Sequence, residues 1–280
     1  MKGLRNFFYY LLRSKTGIAG ILIILISLTT TIAAPLITRY DPEAPNIAAA
    51  RTGPSTDHWF GTDEVGLDIF TRVIYAGRIN LTIGVFATLL SMTIGVAIGL
   101  IVAYYEGSVI SEIVMRIMDL IQAFPVFVFA MVIVAVFGSG VGNIIFAVTF
   151  VNAPIYLRLV RAEARSYITR PYIEAARCTG NNALSIIFAE LLPVSIRPVL
   201  IQASVNVGGA ILLTAGLSFI GAGIRPPIPE WGSMIQIGAP TIIVGQWWAS
   251  AFPGLAIAVN VLGFALFGDF LRTYLNPERR

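Results

Sequence analysis

The chain has 280 residues, 56% of them hydrophobic and only 12% charged, with mean hydropathy +0.81 and a formal net charge of +4. A soluble domain carries roughly 25% charged residues because water must wet its surface, so this composition excludes an ordinary soluble fold and makes lipid the expected solvent. A single cysteine, Cys178, excludes an intrachain disulfide and a cysteine metal cluster, and the pI near 9.4 is explained by the positive-inside bias of membrane proteins without a nucleic-acid partner.

Gaps between charges mark the expected membrane spans, because a charge at the bilayer centre costs about 2.5–3.5 kcal/mol on insertion scales. The first gap covers residues 16–38 and predicts a span near 17–37. Lys2, Arg5, Arg13 and Lys15 precede it, as in a signal peptide. The apolar stretch exceeds an h-region of roughly 7–15 residues, and Pro35 sits close behind the Ala33-Ala34 cleavage candidate, so a retained anchor is expected. Residues 39–78 then read as an extracytoplasmic loop with prolines at 42, 45 and 54 and the run His58-Trp59-Phe60-Gly61-Thr62-Asp63.

The second gap, 79–105, predicts a span near 81–104. The third holds 38 uncharged positions between Asp119 and Arg158, too many for one helix, and Gly138-Ser139-Gly140-Val141-Gly142-Asn143 has the composition of a turn. It is read as two spans, 113–137 and 144–160. Asp119 follows Arg116 by three residues, the spacing of a helix-surface ion pair, so a structural role is expected for it. The last two spans fall near 199–217 and 249–267, with Trp247 and Trp248 at the lip of the final one. Between them, 221–232 reads GAGIRPPIPEWG, a proline-stiffened turn that cannot be helical throughout. Both long outer segments suit a docking surface, part of an outer gate, or simply ordered connections.

The polar, basic stretch from Arg161 to Pro193 is too long for a hairpin and is patterned like two short helices. Glu174-Ala175-Ala176 lies on the first, whose alanines leave a thin face that another protein can approach. Gly180 permits a backbone reversal, Asn181-Asn182 completes the break, and an apolar run then ends in Leu191-Leu192-Pro193. This predicts either a projection that receives force from a soluble partner or an amphipathic connector. Placing both termini in the cytoplasm puts 14 of the 19 Lys and Arg inside. The organisation is thus an all-α integral membrane protein of about six spans. Residues 1–38 hold the N-terminal cytoplasmic segment and first helix, 39–78 the outer loop, 79–272 the core with the loop 161–193, and 273–280 a cytoplasmic tail.

Glu174-Ala175-Ala176, Gly180 and Leu192-Pro193 resemble, at their spacing, the EAA motif of permease subunits of bacterial and archaeal ABC importers. Glu190 stands where that pattern has an isoleucine-like residue. Further stretches are similar to the second permease of the dipeptide/oligopeptide/nickel branch. They are Phe60-Gly61-Thr62-Asp63 with Gly66 and Asp68, Met115-Arg116 with Asp119 and Pro125, Leu217-Ser218-Phe219-Ile220-Gly221 with Glu230-Trp231-Gly232, and Leu275-Asn276-Pro277 near the end. Leu67 stands where the branch usually has Arg. The resemblance covers nearly the whole chain and implies an importer permease fold with a cytoplasmic coupling helix. It implies Glu174, Ala175, Ala176, Gly180, Leu192 and Pro193 as the positions that meet an ATPase. It also implies a related second permease, two ATPase subunits that bind ATP and Mg, and an extracytoplasmic substrate-binding protein for peptides or a related small solute, all at the cytoplasmic membrane of a prokaryote.

The nucleotide site is elsewhere, because a Walker A loop needs Gly-Lys-Ser/Thr and the only lysines, Lys2 and Lys15, do not follow glycine. The chain carries no cofactor of its own and has almost no catalytic inventory. An ion-coupled secondary transporter or channel is the alternative class, but such proteins place acids or His within their spans, and the span centres here lack them. Polar residues inside the spans are Asn152, Gln202, Ser204, Asn206 and Asn260. They are candidates for the translocation path, and equally for hydrogen bonds between neighbouring helices.

Overall fold

A computed structural model describes residues 2–275; Met1 and residues 276–280, with Asn276-Pro277 and most of the expected tail 273–280, lie outside the described residues. Helices dominate because hydrocarbon offers backbone groups no partner beyond their own segment. Among the described residues the only extended pairing is an isolated bridge between Thr62 and Asp68.

The described chain begins with α1 (Lys2–Leu11), a short helix within what the sequence marks only as an N-terminal cytoplasmic segment. Its Phe7 packs edge-on against Phe270 and Tyr274 near the other end of the chain, each 5.4 Å between centroids. The first span is α2 (Lys15–Ile32), capped by the Ser14 hydroxyl, which accepts the Gly17 N–H at 3.0 Å. One further turn, α3 (Ala34–Ile37), follows a break at Ala33, next to Pro35, so the expected 17–37 helix is two pieces.

The second span, α4 (Ile69–Tyr104), starts at Ile69 rather than near residue 81, and the boundary expected at 78 falls inside it. The charge gap marked the hydrocarbon limit, not the helix limit. Arg72 and Arg78 ride on the first turns because backbone carbonyls receive them. Arg72 Nη1 donates to the Pro42 and Pro227 carbonyls, and Arg78 Nε donates to the Thr31 carbonyl at the end of α2.

The third span departs most from expectation. Instead of one helix over 113–137, α5 (Val109–Ala123) and α6 (Val126–Phe137) meet at a 95° bend. Pro125 is the cause: its ring disfavours helical geometry at the preceding residue, and Phe124 is extended at φ −83°, ψ 142°. At 1.5 Å per residue α6 reaches about 18 Å, short of the roughly 30 Å hydrocarbon core, so it does not cross alone.

Next comes α7 (Val141–Ile168), which carries the fourth span eight residues past its expected end at 160. Gly95 and Gly99 of α4 lie against it so closely that an added Cβ would sit 2.5 Å from the Ala153 carbonyl oxygen and 2.6 Å from that of Leu157. Ser91 Oγ donates to the Thr149 carbonyl along the same seam. Residue numbers rise together on both helices, so α4 and α7 run parallel. A parallel pair requires its connection to return across the bilayer, and α5 with α6 makes that return.

Two short helices, α8 (Pro171–Cys178) and α9 (Ala183–Ser185), precede the fifth span, α10 (Leu192–Phe219). The expected second short helix is not separate. The helical path continues from α9 through a π-helical turn, Ile186–Leu191, into α10, and Leu192 N–H bonds the Ile187 carbonyl five residues back. Pro193 is therefore passed within one long helix. Finally α11 (Trp231–Gly238) leads to α12 (Trp248–Leu275), with Trp248 as its first residue.

Small residues set the remaining contacts, as they do where no hydrophobic drive exists between helices in lipid. Gly208 meets Val261 and Gly268 meets Val205, so α10 and α12 are antiparallel; Gly20 of α2 meets Gly263 and Phe267 of α12. Among the described residues five helices are long and apolar enough to span a membrane, and the bent pair, counted as one span, makes a sixth.

The Gly95 contact makes a direct expectation. Gly95→Val forces the α4–α7 seam apart and lowers unfolding stability by about 1–3 kcal/mol, the usual cost of overpacking. Gly209→Ala, on α10 with nothing within 4 Å of an added Cβ, leaves stability unchanged or slightly raised. Thermal unfolding of the detergent-solubilised chain separates the two.

Candidate functional site

The segment between α7 and α10 is built around one anchor. Pro171 occupies the first turn of α8, where its missing N–H is harmless. Ile173 is fully buried and joins a cluster with Ile186, Ile187, Leu191 and Val199, with Ala176 partly buried at its edge. Every other residue of α8 is exposed: Tyr172, Glu174, Ala175, Arg177 and Cys178 all face outward. The Arg177 guanidinium lies 5.1 Å from the Tyr104 ring centroid, a second tie, to the end of α4.

Gly180 ends α8 by a Schellman motif. Gly180 N–H bonds the Arg177 carbonyl and Asn181 N–H bonds the Ala176 carbonyl, with Gly180 at φ +85°. An added Cβ would touch nothing, so the demand for glycine is conformational, not steric. Asn182 then starts the next helix by accepting the Ser185 N–H at 2.7 Å. Of the positions that the resemblance assigns to coupling, Glu174 and Ala175 are exposed on α8, Gly180 is exposed just after it, and Ala176 turns partly inward. Leu192 is half-buried and Pro193 exposed at the start of α10.

Ion pairs brace this end of the bundle. Glu106, just after α4, holds Arg161 at 3.1 Å and Arg165 at 2.8 Å, both on α7. The sequence placed Asp119 with Arg116; that contact is loose at 3.9 Å with Arg116 85% exposed. The stronger partner is Arg158 of α7, at 2.6 Å. Helical spacing finds i,i+3 neighbours, whereas this pair joins residues brought together only by the α5 bend. Neither Glu106 pair was read from the sequence, because charges 55 residues apart carry no periodic signal.

The candidate path residues do not converge on one site. Ser204 Oγ donates to the Phe264 carbonyl, and Asn260 Oδ1 accepts Ser27 Oγ–H at 2.7 Å; both tie helices together. Gln202 and Asn206 bond each other along α10, where Asn206 also approaches Tyr156 of α7, without closing a hydrogen bond to it. Asn152 is half-buried on α7.

At the opposite end, residues 39–68 form an ordered lobe. Asp68 caps α4 by accepting the Thr71 N–H, and its other oxygen lies 2.9 Å from His58 Nδ1, with Tyr40 stacked on that imidazole. Phe60 stacks on Phe252 at 3.9 Å, and Trp248 Nε1 donates to the Thr62 carbonyl. Gly66 takes φ +81° beneath Asn46, where any side chain would collide with backbone. Leu67, the departure from the branch pattern, is simply buried. Arg72 bonds Pro42 in this lobe and Pro227 in the second outer segment, so the two segments form one cap.

With this geometry in view, the comparisons are consistent with one another. Residues 95–280 match the family model described as binding-protein-dependent transport system inner membrane component. The dipeptide transport system permease protein DppC of Alkalihalophilus pseudofirmus is 40% identical over 99% of this chain and 90% of its own length. The glutathione transport system permease protein GsiD of Pectobacterium atrosepticum is 38% identical over 98% of this chain and 91% of its own. A solved MetNI methionine ABC transporter chain shares the fold, with TM-score 0.58 at 16% identity over 72% of this chain and 96% of that one.

The chain belongs to the family of inner-membrane components of binding-protein-dependent transport systems. It is a multi-pass permease subunit of an ABC importer rather than an enzyme, and it works with separate permease and ATPase subunits. This family assignment displaces the ion-coupled alternative.

The single anchor of α8 is testable. Ile173→Ala removes a fully buried side chain at a cost of about 2–5 kcal/mol, felt locally. Amide exchange over residues 171–182 rises sharply in the variant, while exchange along α4 and α12 stays unchanged.

Proposed function

We propose that this chain forms half of a translocation path for peptides or a related small solute and that α8 is its contact with an ATPase subunit. The observation that carries the reading is an exposed helix, anchored through Ile173 and joined on both sides to helices that run on into the bilayer. A push on α8 is delivered to α7 and α10 together, because the Glu106 and Asp119 ion pairs leave α7 little freedom relative to α4 and α5. Near-full-length identity to permeases named for dipeptide and glutathione transport supports the cargo class. In this reading two ATPase subunits bind ATP and Mg, a related second permease completes the path, and a substrate-binding protein docks on the Arg72-joined cap. Both termini and α8 lie in the cytoplasm in this reading, which the distribution of Lys and Arg supports.

Two experiments test it. Cys178 is the only cysteine and its thiol is exposed on α8. A membrane-impermeant maleimide labels it in inside-out vesicles and not in intact cells, and added ATPase subunits protect it; labelling from outside overturns the topology. In the reconstituted complex, Gly180→Val uncouples ATP hydrolysis from uptake, since the left-handed backbone costs an L residue about 1–2 kcal/mol. Gly180→Asn, a side chain that tolerates this conformation, retains most of the coupling. Equal activity of the two variants would remove Gly180 from the coupling role.

A further inference from the structure

Glu230 is a carboxyl group buried without a counter-charge. It is 0% exposed at the start of α11, at the end of the bundle that carries the cap. Its Oε2 accepts the Ser233 N–H at 2.8 Å, and its backbone carbonyl accepts Ser233 Oγ–H. Its Oε1 has no hydrogen-bond partner. The side chains beside the carboxyl are Asn80 of α4 and Ser218 of α10, and both are buried.

Asn80 presents the complementary problem. Its Nδ2 donates to the Ala76 carbonyl at 3.0 Å, which orients the amide and leaves Oδ1 directed elsewhere. That oxygen is buried and also unpartnered. Glu230 Oε1 and Asn80 Oδ1 are thus two buried acceptors without a partner, on neighbouring side chains. An ionised carboxylate would have only neutral hydrogen-bonding neighbours, Gly232, Ser233, Ser218 and Asn80, to set against a buried charge with no counter-charge, and burial outweighs them. One proton on Oε1 converts it into a donor and satisfies both atoms at once.

We propose that Glu230 is a proton-bearing site, whose neutral acid donates from Oε1 to Asn80 Oδ1 and pins α11 to α4 beside α10. No charged side chain competes for it. From its own turn it meets Gly232 and Ser233, from α4 Asn80, and from α10 Ser218, whose Oγ also accepts the Ile224 N–H. Arg72 is taken by the Pro42 and Pro227 carbonyls, Arg78 by those of Thr31 and Ile32, and Arg225 is exposed. The ionisable groups of α12, Asp269, Arg272 and Tyr274, lie near its far end, and His58 pairs with Asp68 in the lobe.

Burial is the leading influence on this carboxyl and pushes it above the usual carboxylate range. The sign of the pH effect follows. A raised value means the packed junction holds the proton more tightly than a solvated Glu does. The packed arrangement is therefore fully favoured below the ordinary carboxylate value, and that advantage is lost as pH climbs through the raised one.

The test is infrared spectroscopy of the full chain in nanodiscs at neutral pH, paired with thermal unfolding from about pH 6 to about pH 9. The wild type shows a protonated-carboxyl C=O stretch that is absent in Glu230→Gln. In Asn80→Val the band persists and moves to higher frequency, because the hydroxyl has lost its acceptor. The wild-type unfolding temperature falls as pH rises, while Glu230→Gln, a neutral donor of the same shape, stays flat. Absence of the band from the wild type, or equal pH slopes in the two chains, overturns the proposal. If Glu230→Gln does not fold, the shift of the band in Asn80→Val assigns it, and an unshifted band overturns the proposal.

Discussion

Gly95 and Gly99 bring α4 and α7 into backbone contact, and the rest of the bundle is arranged around that seam. Because the two helices run parallel, the chain between them must recross the bilayer, and α5 and α6 make that return. Because α7 descends beside α4, its far end meets Glu106 and leads directly into α8. The exposed surface of α8 is thus a consequence of how closely two apolar helices approach, not of the polar residues that decorate it.

The two ends of the bundle handle charge by different physics. At the α8 end, carboxylates and guanidiniums pair across helices while remaining partly exposed, an arrangement worth little stability individually but well suited to elements that shift as a block. At the cap end, Arg72 and Glu230 are both buried and neither has a salt-bridge partner. Arg72 is satisfied by carbonyls from two separate segments, which keeps its charge. Glu230 has a single amide hydrogen bond for its two carboxylate oxygens. Directional hydrogen bonds therefore hold both of these buried side chains.

Several residues highlighted by motif turn out to shape the backbone rather than meet a ligand. Gly61, Gly66 and Gly180 all take positive φ, and Asp63 accepts the Val65 and Leu67 N–H groups within its own turn. Trp231 Nε1 donates to the Val73 carbonyl, fixing α11 against α4 next to Glu230.

The sequence by itself determined the solvent, the number of crossings and the polar segment between the fourth and fifth spans, because each follows from transfer free energy summed over neighbouring residues. It also identified Gly180 as the point of reversal, since a left-handed residue is a local requirement. Ile173 as the anchor of α8 was not legible, for an isoleucine in a polar stretch carries no sign of what it will touch. Pro125 was present as a signal, but uncharged composition concealed the 95° bend it produces. Only the tertiary structure decided the parallel pairing of α4 with α7, the partners of Glu106, Asp119 and Arg72, and the isolation of Glu230. Each of these depends on which distant residues arrive at one place, and local free energies do not encode that.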